Sequence, residues 1–164
     1  MRKVIGIGET ILDIIFKNEQ PTAAKPGGST FNSMITLGRL GVNTEFISEV
    51  GRDRLGKQIK DFLAENNVKS ENVYDYDGGK TALSLAFLDE NMNADYLFYK
   101  NDAAQKLDYV MPKIEENDII VIGSFFSIND ALRENLTYLL DEAKRKKAII
   151  YYDVNFRKNR KSQV

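Results

Sequence analysis

Asp13 in GETILD, Asn32 in PGGSTFN, Asp53 in EVGRDRLG, and Asp153, Asn155 and Arg157 in YYDVNFR share one feature. Each lies where a strand-like run ends or a helix-like run begins. A carboxylate and an amide can each bridge two vicinal hydroxyls, so Asp and Asn suit a hydroxyl-rich ligand. In parallel α/β sheets the C-terminal ends of the strands are where ligands bind. Gly27 and Gly28 stand directly ahead of a helical pattern, where an ordinary loop needs one flexible residue. Two residues without side chains let another group approach the backbone, at a helix N-terminus whose N–H dipoles point outward. The chemistry suggested is binding of a polyhydroxyl compound.

Composition narrows the alternatives. The 164 residues include no cysteine and no histidine. Disulfides, thiolate catalysis, Cys/His zinc sites and histidine acid–base chemistry are thereby excluded. Proton transfer would fall to a carboxylate, Lys or Tyr. The net charge is -1, so no global field recruits nucleic acid. The basic run KRKK at 144–147 reads as the last turn of a helix, where cations complement the macrodipole. MRKVIGIGE meets charge within a few residues and is not a signal peptide. IIVIGSFFSI is too short to span a bilayer. A cytoplasmic protein, with no nucleic-acid or membrane partner, is expected.

Two nucleotide motifs fail. GIGETI has Ile11 where a dinucleotide fingerprint needs its third glycine, and the next residues are strand-like rather than helical. GGKT at 78–81 resembles the end of a P-loop, but Tyr74 occupies the first glycine position and a strand comes after Thr81.

The elements that must position these residues can be read from periodicity. Buried strands are expected at 3–8, 44–50, 118–124 and 148–155, further strands at 10–16 and 72–76. Phe31, Met34 and Ile35, widened by Leu37 and Leu40, give a helix entered at Ser29 or Thr30 as N-cap. Leu55, Ile59, Phe62 and Leu63 give a second helix, with Asp53 as possible cap; Leu132, Leu136, Leu139, Leu140 and Ala143 give a third. TALSLAFLD (81–89) and ADYLFYK (94–100), joined by ENMN, read as an antiparallel hairpin. Strands alternating with helices predict a parallel α/β sheet with an antiparallel flap embedded in it.

In register over essentially the whole chain, GETILD, PGGSTFN, EVGRDRLG and DVNFR resemble the N-terminal half of the ribokinase-like (phosphofructokinase B) carbohydrate kinases, the fructokinase type above all. The resemblance implies a doubly wound α/β domain carrying a small β lid, with lid strands about 10–26 and 81–100. It also implies that Asp13 anchors sugar hydroxyls, Gly27 and Gly28 let the backbone approach the sugar, and Asn32 binds its hydroxyls. Phe98 and Lys100 fall where relatives often place an aromatic and an arginine against the sugar. Lys100 in place of arginine loses bidentate contact to an acid sugar and leans toward a neutral one, such as a hexose. Asn155 and Arg157 match the segment near substrate and phosphates, with Val154 departing from the usual proline. Plainer roles stay open: Asp13 as a turn residue at the lid base, Asn32 and Asp53 as caps, Phe98 as lid packing, and Gly51 and Gly56 as structural.

The intact family enzyme uses ATP and Mg, with its catalytic aspartate in a GxGD segment that this sequence lacks. Residues 1–164 are therefore expected to be the sugar-binding portion of an ATP-dependent kinase. That portion alone would be inactive and would bind neither cofactor well. The alternative is a non-catalytic sugar-binding or dimerising module. Self-association through the lid or an exposed sheet edge is expected in either case.

Overall fold

A computed structural model describes residues 2–100 and 106–156; Arg157, one of the candidate site residues, lies outside them. Parallel pairing organises the body. Strands β1 (Val4–Ile7), β4 (Thr44–Gly51), β5 (Val68–Lys69), β9 (Ile119–Gly123) and β10 (Ile149–Asp153) run in the order β10-β9-β1-β4-β5. Strand β6 (Val73–Tyr76) joins the distal half of β4, again in parallel.

Helices cover both faces. On one, α1 (Ser29–Arg39) and α2 (Arg54–Glu65) bury Phe31, Met34, Ile35, Ile59 and Leu63 against Val4, Phe46 and Val50. On the other, α3 (Arg133–Arg145) buries Leu136, Leu139 and Ala143 against Ile5, Ile7, Ile120 and Ile122. Apolar runs in β1 and β4 thus face core on both sides, as expected for the middle of a parallel sheet.

A second sheet has the order β3-β2-β7-β8, from β2 (Ile11–Lys17), β3 (Gln20–Gly27), β7 (Leu83–Leu88) and β8 (Ala94–Tyr99). The β7–β8 hairpin is antiparallel, as the sequence implies; β2 and β3 form a second antiparallel hairpin, and β2 pairs with β7 in parallel, so the lid is a mixed sheet. Hairpin signals are local; the pairing between hairpins is not. The lid is rooted at the C-terminal ends of β1 and β4: β2 begins three residues after β1, and Gly51 N donates to Thr81 Oγ1 at 3.0 Å.

Strand β10 departs from the expected buried strand. Ile149, Tyr151 and Tyr152 are 47%, 61% and 51% exposed. It pairs with β9 and, among the described residues, with no other strand. The apolar run encodes burial that an edge position does not supply.

Candidate functional site

The lid places four residues in one cross-strand row. Asp13 is opposite Lys25 on one side and Ser84 on the other, and Ser84 is opposite Phe98. Directly paired residues share a sheet face, so Asp13, Ser84 and Phe98 project together. Ser84 is fully buried and its hydroxyl donates to Asp13 Oδ1. Partial burial pushes the Asp13 carboxyl above its ordinary range, and the Ser84 bond offsets this only in part. A carboxylate held by one donor keeps acceptor capacity for hydroxyls.

The glycine pair has a geometric cause. A Cβ on Gly27 would lie 2.5 Å from Asp13 Oδ2. Gly28 has φ +139, and a Cβ there would lie 2.3 Å from the Glu9 carbonyl oxygen. The groups drawn close to this backbone are the chain's own Asp13 and Glu9. Gly28, rather than Ser29 or Thr30, is the N-cap of α1, and no side chain caps the helix. Ser29 opens the helix itself and points its hydroxyl at Asp153 Oδ2, 3.4 Å away; Thr30 is buried. Sequence logic favours a hydroxyl cap, but a positive φ beside the Glu9 carbonyl requires glycine there.

Asn32, in the first turn of α1, is exposed, and its side-chain amide bonds to nothing among the described residues. Ser29 ties this turn to the end of β10, where Asp153 Oδ1 accepts from Asn155 N at 3.0 Å. Asn155 has φ 40, a left-handed conformation Asn tolerates well.

Lys100 directly follows the lid's outer strand, with its ammonium 5.4 Å from the centroid of the Phe98 ring and ion-paired to Glu9. Glu9 therefore closes the circuit, its side chain on Lys100 and its carbonyl against Gly28. Sequence reasoning passes over Glu9 and Ser84. The first lies inside the GETILD motif, and the second is marked only by its alternation with apolar neighbours. Asp13 lies against Gly27 and joins Phe98 through Ser84, Gly28 and Lys100 meet through Glu9, and Asn155 reaches the first turn of α1, which carries Asn32, through Asp153 and Ser29.

Asp53 caps α2: its Oδ1 accepts from Leu55 N and Gly56 N, both at 2.9 Å. It also accepts from Thr81 N and Thr81 Oγ1, both at 2.8 Å, so the cap doubles as a lid anchor. Burial pushes its carboxyl up, but the bonds from Thr81, Gly56 and Leu55 outweigh this and hold it below the usual carboxylate range. Residues 78–81, the failed P-loop, form the turn leading to this anchor and precede a strand.

The lid's opposite face is apolar. Leu12, Ile14, Leu83, Leu85, Leu97 and Tyr99 alternate with the Asp13 row. An open cavity of ≈ 630 Å³ on that side is lined by Leu83, Leu85, Tyr99, Lys100 and the 78–81 turn. It takes in none of Asp13, Gly27, Gly28 or Asn32, and lacks the convergent polar groups of a sugar site. No group of three or more Asp and Glu able to hold a metal occurs among the described residues.

A doubly wound parallel sheet, with a β lid holding a carboxylate above a glycine pair and a helix entry, defines a ribokinase-like α/β protein. The chain belongs to the pfkB family of carbohydrate kinases, whose profile matches residues 1–163. It is 26% identical over 165 residues to the probable fructokinase-3 of Arabidopsis thaliana, covering 94% of this chain and 48% of that protein. The chain spans about half the length of the curated relatives it matches. An uncharacterized sugar kinase from Pyrococcus horikoshii, solved in complex with ATP, matches with a TM-score of 0.80 at 25% identity, over 95% of this chain and 54% of that one. The fructokinase of Vibrio cholerae, in apo form, has the same fold, with a TM-score of 0.83 at 20% identity over 96% and 55%.

Proposed function

We propose that this chain is the sugar-binding part of an ATP-dependent carbohydrate kinase that phosphorylates a hydroxyl of a neutral sugar, as fructokinases do. The Asp13 carboxylate, set between Ser84 and Gly27 beside an uncapped helix entry, carries the reading. Asp13 and Asn32 would hold vicinal hydroxyls while Phe98 covers the sugar's apolar face. Lys100 is already neutralised by Glu9, which favours an uncharged acceptor. Asn155 would approach the acceptor end from β10, and the family resemblance gives Arg157, outside the described residues, a role near substrate and phosphates. Bound ATP with Mg would supply the phosphoryl group and charge neutralisation. This chain's residues bind, orient and shield the acceptor, a contribution that lies in positioning. A cytoplasmic location belongs to the same reading.

Assaying the full-length gene product with ATP and a panel of neutral and acidic sugars tests the reading. ATP-dependent phosphorylation of a neutral hexose is expected; turnover confined to acid sugars, or none, would contradict it. A second reading, in which this chain pairs with another copy, is favoured by the lid's outer face, where Leu97 and Tyr99 are 50% and 56% exposed. Sedimentation at several concentrations tests it. A monomer throughout would remove it.

A further inference from the structure

Among the described residues the lid's outer strand β8 pairs with β7 alone, so its pose also depends on what holds the chain beyond it. Glu49, near the C-terminal end of β4, is 6% exposed. Its Oε2 accepts from Lys106 N at 3.1 Å and Leu107 N at 2.8 Å. The carbonyls of the same two residues accept from Asn135 Nδ2 on α3, at 2.7 and 3.2 Å. The dipeptide 106–107 is thus gripped on its N–H side by the sheet and on its C=O side by a helix.

Two features show that this grip is not incidental. Leu107 is fully buried with φ 48, a conformation bulky side chains adopt only when the surroundings over-determine it. Glu49 Oε1 is buried without a hydrogen-bond partner among the described residues, and Glu9 lies close enough for its charge to act on Glu49. Glu9 in turn is the partner of Lys100. The two acids therefore hold the chain at residue 100 and at residues 106–107, on either side of the lid's exit.

We propose that Glu49 is a positioning residue for the sugar site: by clasping residues 106–107 it sets where β8 holds Phe98 and Lys100 relative to Asp13. The proposal rests on the sugar-kinase reading given above. The clasp needs an acceptor oxygen rather than a charge, since backbone N–H groups are its donors. Glutamine can replace it; alanine cannot.

The test uses the full-length protein, with Glu49→Ala, Glu49→Gln, Asn135→Ala and, as a stability control, Leu63→Ala from the far core. Glu49→Ala is expected to raise the KM for sugar about tenfold, the equivalent of one lost buried hydrogen-bonding group, with the KM for ATP unchanged. Glu49→Gln should stay within about twofold of wild type, and Asn135→Ala should fall between. Hydrogen exchange supplies a readout independent of activity: amides of 94–100 and 106–107 should lose protection in Glu49→Ala but not in Glu49→Gln or Leu63→Ala. A sugar KM unchanged in Glu49→Ala, or raised equally by Leu63→Ala, would overturn the proposal. Should Glu49→Ala not fold, Asn135→Ala decides by the same two readouts. A wild-type protein that phosphorylates no sugar refutes the kinase reading, while exchange at 94–100 still judges the clasp.

Discussion

The lid's second hairpin enters and leaves the body by two anchors that differ in kind. At the entry, Asp53 accepts from four groups across Leu55, Gly56 and Thr81, and its carboxyl is held below the usual range. At the exit, Glu49 accepts two N–H groups through one oxygen, leaves the other buried without a partner among the described residues, and feels the charge of Glu9. Burial pushes the Glu49 carboxyl up, more than the bonds from Leu107 and Lys106 lower it. The entry is a satisfied joint, and the exit stores unspent electrostatic cost. Structural anchoring accounts for the first; the second is the end we propose to position the lid row of Asp13, Ser84 and Phe98.

That contrast breaks most sharply at Asp53. Asp53→Ala removes a helix cap and a lid anchor together and should cost about 2 kcal/mol, seen as a fall in Tm of roughly 4–8 °C. The pH dependence differs between the anchors. The folded pKa of Asp53 is depressed, so its stabilisation is complete above the unfolded value and is lost as pH falls through the folded one. The folded pKa of Glu49 is raised, so its cost is absent below the unfolded value and grows as pH rises toward the folded one. Glu49→Gln should therefore gain stability over wild type as pH rises above about 4.3; a constant difference across pH would refute the assignment.

Smaller effects refine the comparison. The side chains of Lys100 and Glu9 are 18% and 22% exposed, and Lys100→Met leaves Glu9 partly buried and unpaired. A loss of about 1 kcal/mol in urea unfolding is expected. Tyr99→Lys on the outer lid face should change stability by no more than about 0.5 kcal/mol, yet suppress self-association measured by light scattering. The smallest change belongs to the Arg52–Asp77 pair, exposed at 67% and 76%. Although it sits beside the entry anchor, Arg52→Ala should shift stability by less than about 0.5 kcal/mol.

Local patterns in the sequence carry much of this architecture. The three helices, the 81–100 hairpin and most body strands are legible from periodicity, although Leu40, read as part of the α1 face, is 74% exposed at its C-cap and the short β5 is not foreseen; Asp13, Gly27 and Gly28 stand out by type and spacing. What stays hidden depends on distant pairing. The parallel β2–β7 contact joins residues about seventy positions apart, and no turn signal marks it. Gly28 displaces the hydroxyl cap because the Glu9 carbonyl, about twenty residues earlier in the chain, takes the space a Cβ would fill. Glu49 lies in a strand that also carries Thr44, Glu45 and Ser48, and nothing in its neighbours shows that residues 106–107 would meet it. The exposed β10 shows the reverse: its sequence is that of an interior strand, while its place is an edge.

The most direct measurement is the dissociation constant of the preferred neutral sugar for full-length wild type and Asp13→Asn, by calorimetry, with circular dichroism to verify the fold. Asparagine keeps the shape and loses the charged acceptor. Binding should weaken roughly 10- to 100-fold, as expected for lost hydrogen bonds to a charged group. Affinity unchanged within twofold in a folded variant would contradict the assignment of this lid row as the sugar site.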